Sequence, residues 1–170
     1  MGKRRRGRIL AFQALYAWDT QLTLSSQHSL SSQHTQSPAE NKKQALKDLL
    51  DFSWTEKELP ANNGKQAEKK EDSTGDFSRL LAAGTVENIE AVDAMIRKHL
   101  LHWDFSRVNC VDRAILRLSV YELLFQTAPP SVVIDEAVDI SREFGTDDSY
   151  RFINGVLDGV RKTLQKGETK

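Results

Sequence analysis

VNCVDRAILRLSVYELLF, residues Val108 to Phe125, is the stretch whose reading decides the fold. At 100° per residue its apolar side chains reach almost all the way round a helix. Val111, Ile115, Leu118 and Phe125 make one wide face, edged by Ala114 and Tyr121. Leu116, Val120 and Leu123 populate the other side. Asp112, Arg113, Arg117, Ser119 and Glu122 break that second side without forming a clean solvent stripe. A helix that is apolar nearly all round is buried between other helices. Its length reaches that of a short membrane span, but those five polar residues favour burial in protein. This helix is therefore taken as the axis against which the other segments pack.

A chain of 170 residues is one domain, or two small ones sharing a core, and residues 1–170 are taken as one. A hydrophobic fraction of 39% and a mean hydropathy of −0.52 point to a core plus some unstructured length. Charge balances at 24 basic against 24 acidic residues, so net charge argues for no partner. The distribution does: Lys3, Arg4, Arg5, Arg6 and Arg8 crowd the first eight residues with no acid among them. The single cysteine, Cys110, excludes an internal disulfide and a cysteine-cluster metal site. Its place in the buried helix predicts an inert core thiol. The basic start runs into Ile9-Leu10-Ala11-Phe12, as a signal peptide would. Gln13, Asp19 and Gln21 soon break that run, and a soluble cytoplasmic protein is expected.

Residues Gly2 to about Leu22 read as one helix. Ile9, Phe12 and Tyr16 recur at helical spacing, as do Ala11, Leu15, Trp18 and Leu22. Arginines in its first turns oppose the helix dipole, which suits a ligand better than it suits the helix. Thr23 to Ser37, with its repeated SSQH, reads as a loop with little to bury. A short helix is expected from Ala39 to Trp54, and Glu56 to Gly75 is a second charged loop. Together these make a flexible polar insertion at about 23–75. Asp76 is expected to cap a helix running to about Leu101. Pro129-Pro130 stops the central helix, and Ser131 opens the next, with Val133, Ala137, Ile140 and Phe144 in step. Gly145 ends it. Thr146 to Ser149 offer caps for a last helix through Val156, Val160 and Leu164, in which Gly155 and Gly159 allow another helix close. No segment alternates with period two. The fold class is all-α, with antiparallel neighbours in the C-terminal half.

Enzyme motifs are missing. There is no glycine-rich phosphate loop, no GxSxG elbow and no HExxH. His99 and His102, three apart beside Trp103, have the spacing of two metal ligands, but nothing nearby completes a set. Asp147-Asp148 is explained by helix capping and Asp135-Glu136 by a polar helix face. The basic start is what asks for a partner. Guanidinium groups neutralise phosphates and stack on unpaired bases, so RNA or another polyanion is favoured over a solubilising tail. Phe152, behind Tyr150-Arg151 near the start of the last helix, is a second candidate for stacking. As a bare residue it is more often core.

Three blocks, RRRGRILAFQALYAWD, RAILRLSVYELLF and IDEAVDISREFGTDDSYRFINGVLD, together resemble the bacterial transcription antitermination family NusB. The resemblance covers residues 3–22 and about 77–165. The segment Thr23–Gly75 departs from it, being longer and more polar than the family's usual connection. The resemblance implies an all-helical protein of two small antiparallel helical bundles, with no enzymatic activity, no cofactor and no metal. It implies pairing with NusE, a protein of the small ribosomal subunit. The pair would bind the boxA element of nascent ribosomal RNA as a single strand and help assemble an antitermination complex on RNA polymerase. By position, Arg4, Arg5, Arg6 and Arg8 match the RNA-binding motif. Phe152 matches an aromatic position that contacts RNA, and Asp148 a position near it. Tyr16 and Asp112 match positions facing NusE, with Asp112 standing where the family often has Glu. Homodimers occur in the family and are possible here.

Two other readings remain. The chain would suit an RNA-binding domain like that of certain ribosomal RNA methyltransferases, if it were a fragment. It would also suit a helical scaffold that binds only protein, with its arginines serving solubility.

Overall fold

In the computed structural model the described residues are 2–28, 46–47, 49–50, 73–101 and 103–167. Among them are six α-helices and one turn of 3-10 helix: α1 (Lys3–His28), α2 (Ser73–Glu87), α3 (Ile89–His99), the turn Phe105–Arg107, α4 (Cys110–Phe125), α5 (Pro130–Phe144) and α6 (Ser149–Gly167). The central helix is α4, and it packs against all five others. Ala114, Ile115, Leu116, Leu118 and Val120 are almost wholly buried along it. Asn109 starts it, its side-chain oxygen accepting the Val111 N–H at 2.9 Å. One small bundle is α1 and α2 against α4. The other is α3, α5 and α6 against α4. α1 also reaches α5, where the Phe12 and Phe144 rings lie 5.3 Å apart.

Several boundaries differ from the sequence reading. α1 runs on to His28 instead of yielding to a loop at Thr23. The Thr20 and Thr23 hydroxyls donate to the carbonyls of Tyr16 and Asp19, one turn back. The single helix expected from Asp76 to Leu101 is two helices broken at Asn88, whose side chain donates to the Gly84 carbonyl at 2.8 Å. Asp76 is no cap. It lies inside the first turn of α2 and pairs with Arg79 at 3.1 Å. α5 begins at Pro130, one residue before Ser131, because a first-turn proline lacks only a donor that is unused there. Of the helix expected at 39–54, Leu46, Lys47, Leu49 and Leu50 are described. Leu46 is buried in the core, and the Leu50 carbonyl accepts from Arg79 at 2.9 Å. The remainder of that helix, and most of the polar insertion, lie outside the described residues.

The core also holds charge. Arg8 of α1 is 4% exposed and meets Glu122 of α4 through paired contacts of 2.8–3.1 Å. At the other end of the same helix pair, Asp19 accepts from Arg113 at 2.5 Å and from Arg117 at 2.7 Å. Arg117 in turn grips Asp93 of α3 through two bonds of 2.8 Å. These two links, Arg8 to Glu122 and Asp19 to Arg113, set α1 and α4 antiparallel. Three of the polar positions that interrupt the apolar pattern of the central helix, Arg113, Arg117 and Glu122, are thus the clamps that orient its neighbours.

Candidate nucleic-acid interface

The N-terminal arginines divide by position on α1. Arg4 and Arg6 are exposed, and neither side chain pairs with an acid among the described residues. Arg5 is half-buried against α5. It donates to Asp139 at 2.9 Å and lies 3.8 Å from Glu136 and 3.6 Å from Glu143. The hydrogen bond to Asp139, with the charge of all three acids, holds its guanidinium more firmly protonated. Arg8 is turned inward on Glu122, and its guanidinium also faces the Phe77 ring at 5.7 Å. Helical geometry explains the division. Arg4 and Arg8, one turn apart, share a side but differ in depth: Arg4 is exposed and Arg8 is buried against Glu122.

A second cluster forms where the α3–α4 connection meets the start of α6. Phe152 is half-buried, and its ring lies 6.3 Å from that of Trp103, tilted by 52°. Trp103 is 62% exposed. Both rings line a cleft of about 300 Å³, together with Arg107, Asp112, Asp148 and Ser149. Asp148 is exposed, 3.6 Å from Arg151. Asp112 is only 7% exposed, and its Oδ1 has no hydrogen-bond partner among the described residues. Burial pushes the Asp112 carboxyl above the usual carboxylate range, while a hydrogen bond with Ser149 works against that shift. Ser149 also accepts the Thr146 N–H at 2.9 Å, closing the turn that starts α6.

Tyr16 is 40% exposed on α1, one turn beyond Phe12 and three residues before Asp19. The structure thus brings Asp112, Asp148 and Phe152 into one cleft and leaves Tyr16 on another helix. Asp112, matched by resemblance to the partner side, sits beside the two residues matched to the RNA side. Cys110 corrects the sequence reading: it is exposed on the first turn of α4, not an inner thiol. His99 is inserted against Gly159 of α6, where a Cβ would lie 2.8 Å from its Nδ1, and its Nε2 is 3.2 Å from the Thr163 hydroxyl. Gly159 therefore allows the close approach expected of it, whereas Gly155 is open to solvent. Burial, aided by the neighbouring Lys98, lowers the His99 pKa. His102 lies outside the described residues, and no group of three potential metal ligands occurs among those described.

The sequence reading passed over Trp103 and Arg107 as site residues. Nothing in their spacing marks an exposed ring, because an aromatic residue in a short connection is as often buried. No helix of the described residues is long and apolar enough to cross a membrane.

Residues 5–162 match the NusB family, and the chain belongs to it. It is 45% identical over 163 residues to the transcription antitermination protein NusB of Treponema pallidum strain Nichols, covering 94% of this chain and 93% of that one. The NusB protein of Borreliella burgdorferi is 34% identical over 166 residues, covering 96% of each chain. Among solved structures, T. maritima NusB superposes with a TM-score of 0.65 at 31% identity, over 94% of this chain and 90% of that one. The structure of antitermination factors NusB and NusE in complex with dsRNA superposes with a TM-score of 0.65 at 26% identity, over 95% and 97%.

Proposed function

We propose that this chain is a transcription antitermination factor that binds the boxA element of nascent ribosomal RNA together with NusE, and so helps assemble the antitermination complex on RNA polymerase. The observation that carries the reading is membership of the NusB family, on a chain that exposes Arg4 and Arg6 and, at a separate place, forms the Trp103–Phe152 cleft. Arginines supply phosphate contacts and the rings supply stacking, which is what single-stranded RNA requires. Similarity to a NusB–NusE–RNA complex supports the choice of partners. Residues 1–170 act as one RNA-binding domain in the cytoplasm, where nascent RNA is found, and no catalysis is needed.

Within this reading Arg4 and Arg6 carry the N-terminal RNA contact. Arg5 joins them when RNA competes with Asp139, and Arg8 supports the helix from within. Phe152 and Asp148 form the second RNA contact. Tyr16 belongs to the NusE side, and Asp112 lies where the two sides meet, since its neighbour Arg113 pairs with Asp19 on the helix that carries Tyr16. A basic ribosomal protein suits an acidic and aromatic surface. Two modest RNA surfaces joined by pairing give an affinity neither has alone.

The test is a titration of labelled boxA RNA with this chain, with NusE, and with both. Much tighter binding by the pair supports the reading. A pair that binds no better than its components removes it. Loss of binding in the Arg4→Ala/Arg6→Ala variant, with helicity unchanged, separates RNA binding from a purely protein-binding scaffold.

A further inference from the structure

Trp103 stands on a connection with little regular structure of its own. The described residues between α3 and α4 make a single turn of 3-10 helix, Phe105–Arg107. The ends of the connection are fixed by burial of Leu100 and Val108, and Arg113 donates to the Val108 carbonyl at 3.2 Å. Its middle is held differently. The half-buried ring of Phe105 has two guanidinium groups over it, that of Arg97 from α3 at 4.5 Å from the centroid and that of Arg117 from α4 at 5.5 Å. The negative face of an aromatic ring attracts a cation, more strongly where water is excluded. Arg117 is 8% exposed and cannot drift, because Asp19 of α1 and Asp93 of α3 both accept from it. Arg97 lies 3.9 Å from the same Asp93. The Phe105 ring is thus tied to three helices through these two arginines. Two residues before it comes Trp103 and two residues after it Arg107, both lining the cleft that holds Phe152.

Resting on the RNA-binding reading above, we propose that Phe105 is a positioning residue for RNA: gripped by Arg97 and Arg117, it fixes the connection so that the Trp103 ring stands beside Phe152 before RNA arrives. Phe105 touches no RNA in this arrangement and acts through Trp103. The physical gain is in preorganisation. An exposed ring on a free loop loses conformational freedom when a base or ribose packs on it, and a ring already held in place loses less. Arg97, whose side chain is 56% exposed, serves the grip and not a phosphate.

The experiment uses this chain with its NusE partner and labelled single-stranded boxA RNA, followed by fluorescence anisotropy, with NusE binding measured separately by calorimetry. Phe105→Leu keeps an apolar side chain and removes the ring face. It is expected to weaken RNA binding by the pair about tenfold and to leave the affinity for NusE unchanged. Phe105→Tyr keeps the ring and is expected to bind RNA as the parent does. Arg97→Ala is expected to weaken RNA binding about threefold, and to add nothing in the Phe105→Leu background. In the Trp103→Ala background Phe105→Leu is likewise expected to cost nothing further, since its effect passes through that ring. Phe105→Leu binding as the parent overturns the assignment. So does a loss that adds in full to that of Trp103→Ala, or one matched in NusE binding, which marks damage to the whole fold. An Arg97→Ala loss that persists without the Phe105 ring makes Arg97 a direct phosphate contact and overturns the grip. In each of these cases RNA binding that still depends on Arg4 and Arg6 leaves the antitermination reading standing. If the pair binds no RNA, both fall.

Discussion

Asp112 is a buried carboxylate that costs the fold stability. Its carboxyl is buried and half-satisfied, so the folded protein holds its proton to higher pH than the unfolded chain does. Between the ordinary aspartate value, about 3.9, and the raised folded value, the folded state binds more protons than the unfolded one. Stability therefore falls as pH rises through that window and is fullest below it. Asp112→Asn removes this dependence. Its thermal midpoint relative to wild type is expected to be higher at pH 7 than at pH 3, as measured by calorimetry across pH. Arg8 makes the opposite case. Arg8→Ala strands Glu122, which is 2% exposed, and is expected to cost about 3–5 kcal/mol in denaturant unfolding. Arg8→Met with Glu122→Leu should recover most of that cost, and should bind RNA with the affinity of the parent. A double variant that folds but no longer binds RNA would place Arg8 on the RNA after all.

At the scale of elements, the junctions are made by close approach and by charge. Gly84 of α2 lies directly under the Tyr121 hydroxyl of α4, and a Cβ there would clash with that ring. In an exposed helix Gly→Ala gains up to about 1 kcal/mol. Here the clash outweighs that gain, and Gly84→Ala is expected to destabilise by about 1–3 kcal/mol. Adding Tyr121→Leu should return part of that stability, which chemical denaturation of the two variants checks. The break between α2 and α3 at Asn88 lets α3 turn so that Asp93 meets Arg117 and His99 meets Gly159. A single unbroken helix could not reach both partners.

For the whole molecule, RNA binding is set by where the charges sit, since the net charge is zero. The acids of α5 hold Arg5 in the absence of RNA, which weakens the cluster when the chain is alone. Binding by the chain with NusE is expected to weaken steeply with salt. Every phosphate left without its cation should make the slope of log K against log salt shallower by about 0.7. Arg4→Ala/Arg6→Ala should therefore flatten that slope by about 1.4, measured by titration across a salt series.

The helical class, the central helix and the arginine-rich start were legible in the order of residues, because apolar period and charge clustering are local properties. Phe152 was a stacking candidate from its place beside Tyr150-Arg151, and family resemblance strengthened it and added Asp148, Tyr16 and Asp112. What the order of residues could not hold was depth. It left Arg4, Arg5, Arg6 and Arg8 alike, yet Arg8 is locked on Glu122, 114 positions away in the chain. It placed Cys110 inside and Arg117 at an interruption, where the fold puts the thiol outside and the guanidinium between two acids. Trp103 beside Phe152, in one cleft with Asp112, exists only once the α3–α4 connection closes on the start of α6. Periodicity selects which face of a helix is buried. Which charges meet, and which ring is left open to a ligand, is decided by how separate helices pack.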